Sequence, residues 1–224
     1  MRSGPARALA AGMVFVGLRG SPTAQASRLT VRVYDAVGMP ARERHSAEAQ
    51  AASILKDAGI AVAWRECPSE LDDCVAPLEA TEVIVRLVNS PGRAFVTDDL
   101  ADSLGYSLVD AEEGRGWLAT IFVDRIDRTA RGANASSSRL CGRAIAHEIG
   151  HLLLGLPTHA DRGLMRGRWT PDQLRLDAPW DWLVSREEAS AMRESLAVWR
   201  RQTTRPILIT ASDITADNLD DGAR

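Results

Sequence analysis

Alternating apolar and polar residues predict five β-strands along the chain. In residues 28–36, Leu29, Val31 and Val33 alternate with polar positions, which is typical of a strand that buries one face. The turn residues 113–116 separate the last two strands, so we expect those two to pair as a hairpin. The five predicted strands are residues 28–36, 60–66, 81–88, 104–109 and 117–123.

Apolar residues recur at helical spacing in three further segments. Residues 46–58 are followed by Gly59, and residues 139–154 are apolar around much of the helix and end at Gly155 and Pro157. Residues 185–201 begin with the capping box Ser185 and Glu188. The order of elements predicts a single α+β domain of α/β-like character over residues 27–205. We expect a five-stranded mixed, twisted sheet with one antiparallel edge strand, a backing helix, a buried helix and a C-terminal helix, followed by a tail at 206–224.

Residues 1–26 have the three parts of a secretory signal. Arg2 and Arg7 form a positive start, residues 8–18 are apolar, and residues 24–26 read Ala-Gln-Ala, a small-x-small cleavage site. The apolar run is too short for a membrane-spanning helix, which needs ~20 residues. We therefore predict cleavage after Ala26, a secreted or periplasmic location, and no membrane association afterwards. The alternative, a first core helix, is disfavoured by the glycines and the proline between residues 12 and 22.

Composition narrows the choice of partner and compartment. The chain has 224 residues, 45% of them hydrophobic and 25% charged, which is typical of one globular domain, and its net charge of −3 argues against a nucleic-acid partner. In an oxidising compartment, Cys67 and Cys74 are predicted to close a short polar loop as a disulfide. Cys141 lies in an apolar helix, where a buried, inert thiol is a better interpretation than a nucleophile.

The predicted buried helix contains the pattern HExxH at residues 147–151. Histidines four residues apart project from one helix face, so His147 and His151 can bind one metal ion while Glu148 stands beside it. Zinc with neutral nitrogen ligands lowers the pKa of its water to ~7, and a neighbouring carboxylate can take the proton. Burying two imidazoles and a carboxylate without a partner would be costly. The pattern therefore predicts a hydrolytic Zn²⁺ site.

A third ligand requires the chain to turn back after the helix. Gly155 and Pro157 end the helix, and His159 is the first good donor beyond them. Asp161 is an alternative because a carboxylate can replace an imidazole on zinc. Glu187 or Glu188 would give another ligand set, although helix capping already accounts for both.

The run from His147 to Met165, HEIGHLLLGLPTHADRGLM, resembles the metzincin clan of zinc metallopeptidases, which join HExxH to a glycine turn, a third ligand and a methionine turn. The resemblance implies a metzincin-like fold, Zn²⁺ as cofactor and hydrolysis of internal bonds in a peptide or protein substrate. Carried over by position, His147, His151 and His159 correspond to the zinc ligands, Glu148 to the general base, Gly155 to the turn glycine and Met165 to the methionine under the metal.

The spacing differs from the usual HExxHxxGxxH of that clan. Gly155 comes one position later and His159 two positions later. The segment LGLPTH is also similar to the corresponding turn of the small secreted bacterial snapalysins, in which an aspartate is the third ligand. Asp161 therefore remains open as a replacement for His159.

We expect a secreted, monomeric zinc endopeptidase that holds its substrate along the edge strand at residues 104–109. Two other interpretations remain, a non-catalytic zinc-stabilised secreted binding module and a metal-independent secreted interaction domain. Glu148 argues against both, because neither needs a carboxylate at that position.

Overall fold

The computed structural model of the protein describes residues 27–68, 72–91, 102–110 and 112–202. The signal predicted at 1–26 and the tail predicted at 206–224 lie outside the described residues. The elements are, in chain order, β1 (Ser27–Asp35), α1 (Ala41–Asp57), β2 (Ile60–Glu66), α2 (Asp72–Val75), β3 (Glu82–Val88), β4 (Gly105–Asp110), β5 (Arg115–Phe122), α3 (Val123–Ala133), α4 (Ser137–Leu154), α5 (Pro171–Leu176), a short 3-10 helix (Pro179–Trp182) and α6 (Arg186–Arg201).

The five strands form one sheet in the order β2-β1-β3-β5-β4. Strands β2, β1, β3 and β5 run parallel, and β4 pairs antiparallel with β5 at the edge. Helix α1 forms the crossover between the parallel strands β1 and β2, a connection that such strands require. The predicted mixed sheet with one antiparallel edge strand is therefore confirmed.

Helix α4 is the central helix of the fold. The Ser136 hydroxyl accepts a hydrogen bond from the Arg139 amide at its start, and Gly155 caps its end. All residues from 140 to 153 are buried, because α4 packs against α1, α6 and strands β4 and β5. A helix that is apolar around its circumference has no solvent face, so the polar side chains between residues 140 and 153 lie inside the protein.

A loop at residues 76–78, directly after the disulfide, covers part of the opposite face of the sheet. Cys67 and Cys74 form the predicted disulfide. Arg32 is buried on β1, and its guanidinium donates to the carbonyl oxygens of Ala76, at 2.7 Å, and Pro77, at 3.1 Å. The same guanidinium forms a buried ion pair with Glu82. These bonds fix the loop against β1 and leave the other face of the sheet to the helices.

Several elements differ from the sequence-based prediction. Helix α1 begins at Ala41 rather than at residue 46, and helices α2, α3, α5 and the short 3-10 helix were not predicted. Helix α2 contains Cys74 of the disulfide. In α3, the apolar positions Ile126, Ala130 and Ala133 are buried at helical spacing, but the polar residues between them hide the pattern in a short segment.

Candidate metal centre and catalytic site

Helix α4 brings three polar side chains into the protein interior. His147 and His151 lie one helical turn apart, and Glu148 follows His147 directly. Their relative exposures are only 7%, 5% and 7%. Buried ionisable groups need partners, so the neighbours of these three residues define what the site can do.

Each helix histidine has one ring nitrogen bound to a main-chain carbonyl. Nδ1 of His147 lies 2.8 Å from the carbonyl oxygen of Leu164, and Nδ1 of His151 lies 2.8 Å from that of Leu156. A carbonyl oxygen can only accept, so both Nδ1 atoms carry the hydrogen. In the neutral rings, Nε2 is therefore an unprotonated lone-pair donor, and this is the arrangement that orients histidines for metal binding.

The two lone-pair nitrogens face each other. Nε2 of His147 lies 3.0 Å from Nε2 of His151. Burial, with a further contribution from the neighbouring His151, lowers the pKa of His147 to about 3, and burial also lowers the pKa of His151. At neutral pH no proton is available to bridge the pair, and two facing lone pairs repel each other. A shared metal cation removes this conflict.

The chain turns sharply after α4 at Gly155. This residue has φ of +66°, and a Cβ atom there would lie 2.2 Å from the carbonyl oxygen of Gly114. Both the left-handed conformation and the close approach require glycine. The turn ends the helix and sends residues 156–159 back towards the histidines.

His159 completes a group of three. The ligand nitrogens of His147, His151 and His159 all lie within 4.8 Å of one another. The His159 ring centroid is 5.3 Å from that of His147 and 4.8 Å from that of His151. A Cβ atom at Gly167 would lie 3.0 Å from Cγ of His159, so the glycine leaves room for the ring.

The alternative ligands do not join this group. Among the described residues, no other set of three histidine, cysteine or acidic residues could hold a metal, and Asp161 is exposed outside the three histidines. Glu188 instead accepts a hydrogen bond from the Ser185 amide at the start of α6, at 2.8 Å. The capping box that predicted this helix accounts for Glu188.

The donor set fits zinc. Three neutral imidazoles are a ligand set that zinc takes in catalytic sites, with a fourth position left open. Because the Nδ1 atoms of His147 and His151 carry the hydrogens, the facing Nε2 atoms offer two of the required lone pairs. His147, His151 and His159 are therefore the residues that could hold the ion.

Glu148 has a different environment from the histidines. Its Oε2 accepts a hydrogen bond from the Ser107 hydroxyl at 2.7 Å. Burial raises the pKa of Glu148 to about 7, and the hydrogen bond from Ser107 opposes the shift. A carboxyl group with this pKa can take and release a proton near neutral pH, which suits a general base.

Met165 packs against α4, and Trp169 contacts the His147 ring. A Cβ atom at Gly150 on α4 would lie 2.5 Å from Sδ of Met165, so the methionine is seated against the helix between the two histidines. The Trp169 ring meets the His147 ring edge-on, with 5.6 Å between the ring centroids, and its centroid lies 5.4 Å from that of Trp182. These contacts limit the movement of the His147 ring.

An open cleft of about 610 Å³ lies over the centre. It is lined by the three histidines, Glu148, residues 105–107 of β4 and the segment from Arg166 to Trp169. The sequence did not identify Ser107 or Trp169 as site residues. Ser107 lies 41 positions from Glu148, and no local motif joins them.

No protein-family model and no curated protein sequence matches this chain. Among solved structures, the chain is similar to archaemetzincin from Methanopyrus kandleri, with 14% sequence identity and a TM-score of 0.44. The match covers 78% of this chain and 99% of the other. A likeness of this extent carries no argument about activity, which must come from the site itself.

Proposed function

We propose that the chain is a secreted zinc-dependent endopeptidase of the metzincin type. The observation that carries the proposal is the convergence of three histidine nitrogens within 4.8 Å, beside a buried carboxyl group and at the floor of an open cleft. A structural zinc site closes all four positions with protein ligands, whereas a three-histidine set with a carboxyl neighbour is typical of a hydrolytic site.

The chemistry divides between the metal and Glu148. A bound zinc ion supplies positive charge that activates a water molecule and polarises the scissile carbonyl. Glu148 accepts the proton that the attacking water loses and later donates it to the leaving amine nitrogen. Burial raises the pKa of Glu148, which brings proton uptake and release closer to neutral pH and so supports both steps.

The open edge of the sheet supports a peptide as the substrate. Among the described residues, strand β4 pairs with β5 on one side only, and the backbone groups on its other side, next to the cleft, have no strand partner. An extended peptide can add to such an edge as a further strand. A substrate bound in this way would have its backbone beside Glu148, because residues of β4 and Glu148 line the same cleft.

Secretion and a monomeric state are part of the same proposal. The Cys67–Cys74 disulfide is typical of proteins that mature in an oxidising compartment. Cleavage after Ala26 would leave β1 intact, because this strand begins at Ser27. Among the described residues, no helix is long and apolar enough to cross a bilayer.

Two substitutions separate metal binding from catalysis. We expect Glu148→Ala to retain zinc and to hydrolyse casein roughly 10²–10⁴-fold more slowly than the parent, because only the proton carrier is removed. His151→Ala should lose both zinc and activity. His45→Ala is the matched control, since His45 is exposed and pairs with Glu66 away from the cleft.

The outcomes of these assays are distinct. A Glu148→Ala variant that cleaves casein as fast as the parent contradicts the catalytic assignment. A parent protein that holds one zinc ion per chain and cleaves no member of a broad peptide library would instead identify a non-catalytic zinc-stabilised binding module.

A further inference from the structure

Two residues of β4 contact the side chain of Glu148. Ser107 Oγ lies 2.7 Å from Oε2 of Glu148 and 2.9 Å from its main-chain oxygen. Gly105 is two residues earlier on the same face of the strand, where a Cβ atom would lie 3.2 Å from Cγ of Glu148 and 2.5 Å from the Thr120 carbonyl oxygen. Gly105 thus leaves space for the side chain, and Ser107 holds its end.

The hydrogen bond has a defined direction. The Ser107 hydroxyl has one hydrogen for two acceptors, Oε2 and the main-chain oxygen of Glu148. When the carboxyl group is ionised, the charged Oε2 is the nearer and stronger acceptor and takes this hydrogen. A bond to a charged acceptor is stronger than a neutral one, and burial increases its strength further. Among the described residues, Ser107 is the only one that hydrogen-bonds this carboxyl group. Without the hydroxyl, the carboxyl group would be free to rotate about its terminal torsion.

We propose that Ser107 is a positioning residue for the general base, an inference that rests on the proposed function. The Ser107 hydroxyl is hydrogen-bonded to Oε2 and fixes the plane of the carboxyl group. Oε1 is then the oxygen that takes the proton from the attacking water. The proton then passes from Oε1 to the leaving amine nitrogen as the peptide C–N bond breaks. Since Ser107 belongs to β4, the strand that lines the cleft also sets the orientation of the base.

Steady-state kinetics of the zinc-loaded protein test this role. We expect Ser107→Ala to lower kcat about 10–100-fold while KM and zinc content stay at the parent values, because substrate and metal contacts are unchanged. Ser107→Thr retains a hydroxyl and should restore most of kcat. Ser138→Ala removes a hydroxyl from the first turn of α4, far from Glu148, and should leave kcat unchanged.

A loss of activity in Ser107→Ala that matches a loss of zinc would overturn the proposal, as would an unchanged kcat.

A second measurement does not depend on activity. Denaturant unfolding of Ser107→Ala, Glu148→Ala and the double variant should show coupling of about tenfold in the unfolding equilibrium constant. If the effects of the two single substitutions on the free energy of unfolding simply add in the double variant, the contact between Ser107 and Glu148 is refuted. If the parent protein hydrolyses no peptide, the proposed function is refuted. The coupling between the two substitutions then still shows whether Ser107 holds the side chain of Glu148.

Discussion

At the scale of single residues, the loop after α4 contributes to the centre in two ways. It supplies His159, and it also supplies the carbonyl oxygens of Leu156 and Leu164 that fix the tautomers of the helix histidines. The ligand and its supporting hydrogen bonds therefore depend on the same turn at Gly155. A change in the path of this loop would disturb all three rings together.

Cys141 provides a test of burial at the residue scale. The side chain is buried in α4, and burial raises the pKa of its thiol to about 12, well above the ordinary ~8.5. At pH 8 a raised pKa means that the thiol stays protonated and unreactive. We expect the native protein to react with a thiol reagent at least roughly 100-fold more slowly than the unfolded protein, which should titrate one thiol per chain. Fast labelling of the native protein would contradict this burial.

At the scale of elements, helices α1 and α4 approach each other closely at Gly142. A Cβ atom at this position would lie 2.4 Å from the carbonyl oxygen of Ala47 and 2.6 Å from Cβ of Gln50. Both obstacles belong to α1 at or next to its backbone, so they cannot move aside as a flexible side chain could. The glycine therefore sets how closely α4, the helix that carries His147 and His151, packs against α1.

Substitution at Gly142 should separate the two helices. We predict that Gly142→Ala lowers the free energy of unfolding by about 1–3 kcal/mol, because the added methyl group overpacks the contact. Gly132→Ala is the matched control in α3, where nothing lies within 4 Å of the added atom. It should be neutral or stabilise by up to about 1 kcal/mol through helix propensity. Urea unfolding measures the free energy of unfolding of both variants. Equal changes in Gly142→Ala and Gly132→Ala would refute the close contact at Gly142.

The elements also show what sequence patterns can predict. The strands and α4 were predictable because alternation, a serine cap and the Gly155 stop are local signals. The HExxH spacing likewise predicted that His147 and His151 share a helix face. Helix α3 was missed because its apolar stripe is narrow, and Ser107 was missed because its contact with Glu148 depends on how β4 packs against α4.

At the scale of the whole molecule, the two faces of the sheet are covered by different parts of the chain. One face carries α1, α4 and α6 and the histidine centre. Part of the other is covered by the segment that follows the Cys67–Cys74 disulfide, which Arg32 holds through the main-chain carbonyls of Ala76 and Pro77. The stabilising covalent bond therefore lies away from the three histidines and the cleft.

The proposed export predicts the N-terminus of the mature protein. If residues 1–26 are removed, protein recovered from the medium or the periplasm should begin at Ser27, the first residue of β1. N-terminal sequencing together with intact mass decides this. Recovery of an uncleaved chain that begins at Met1 in the cytoplasm would contradict the secretion proposal.

The central claim is that three histidines, including the irregularly spaced His159, hold one zinc ion. Its most direct test is the zinc content of purified parent, His159→Ala and the control His45→Ala after dialysis against a weak chelator. We predict one zinc per chain in the parent and in His45→Ala, and loss of zinc from His159→Ala, because two imidazoles alone hold the ion too weakly. A His159→Ala protein that keeps a full zinc complement would contradict the account.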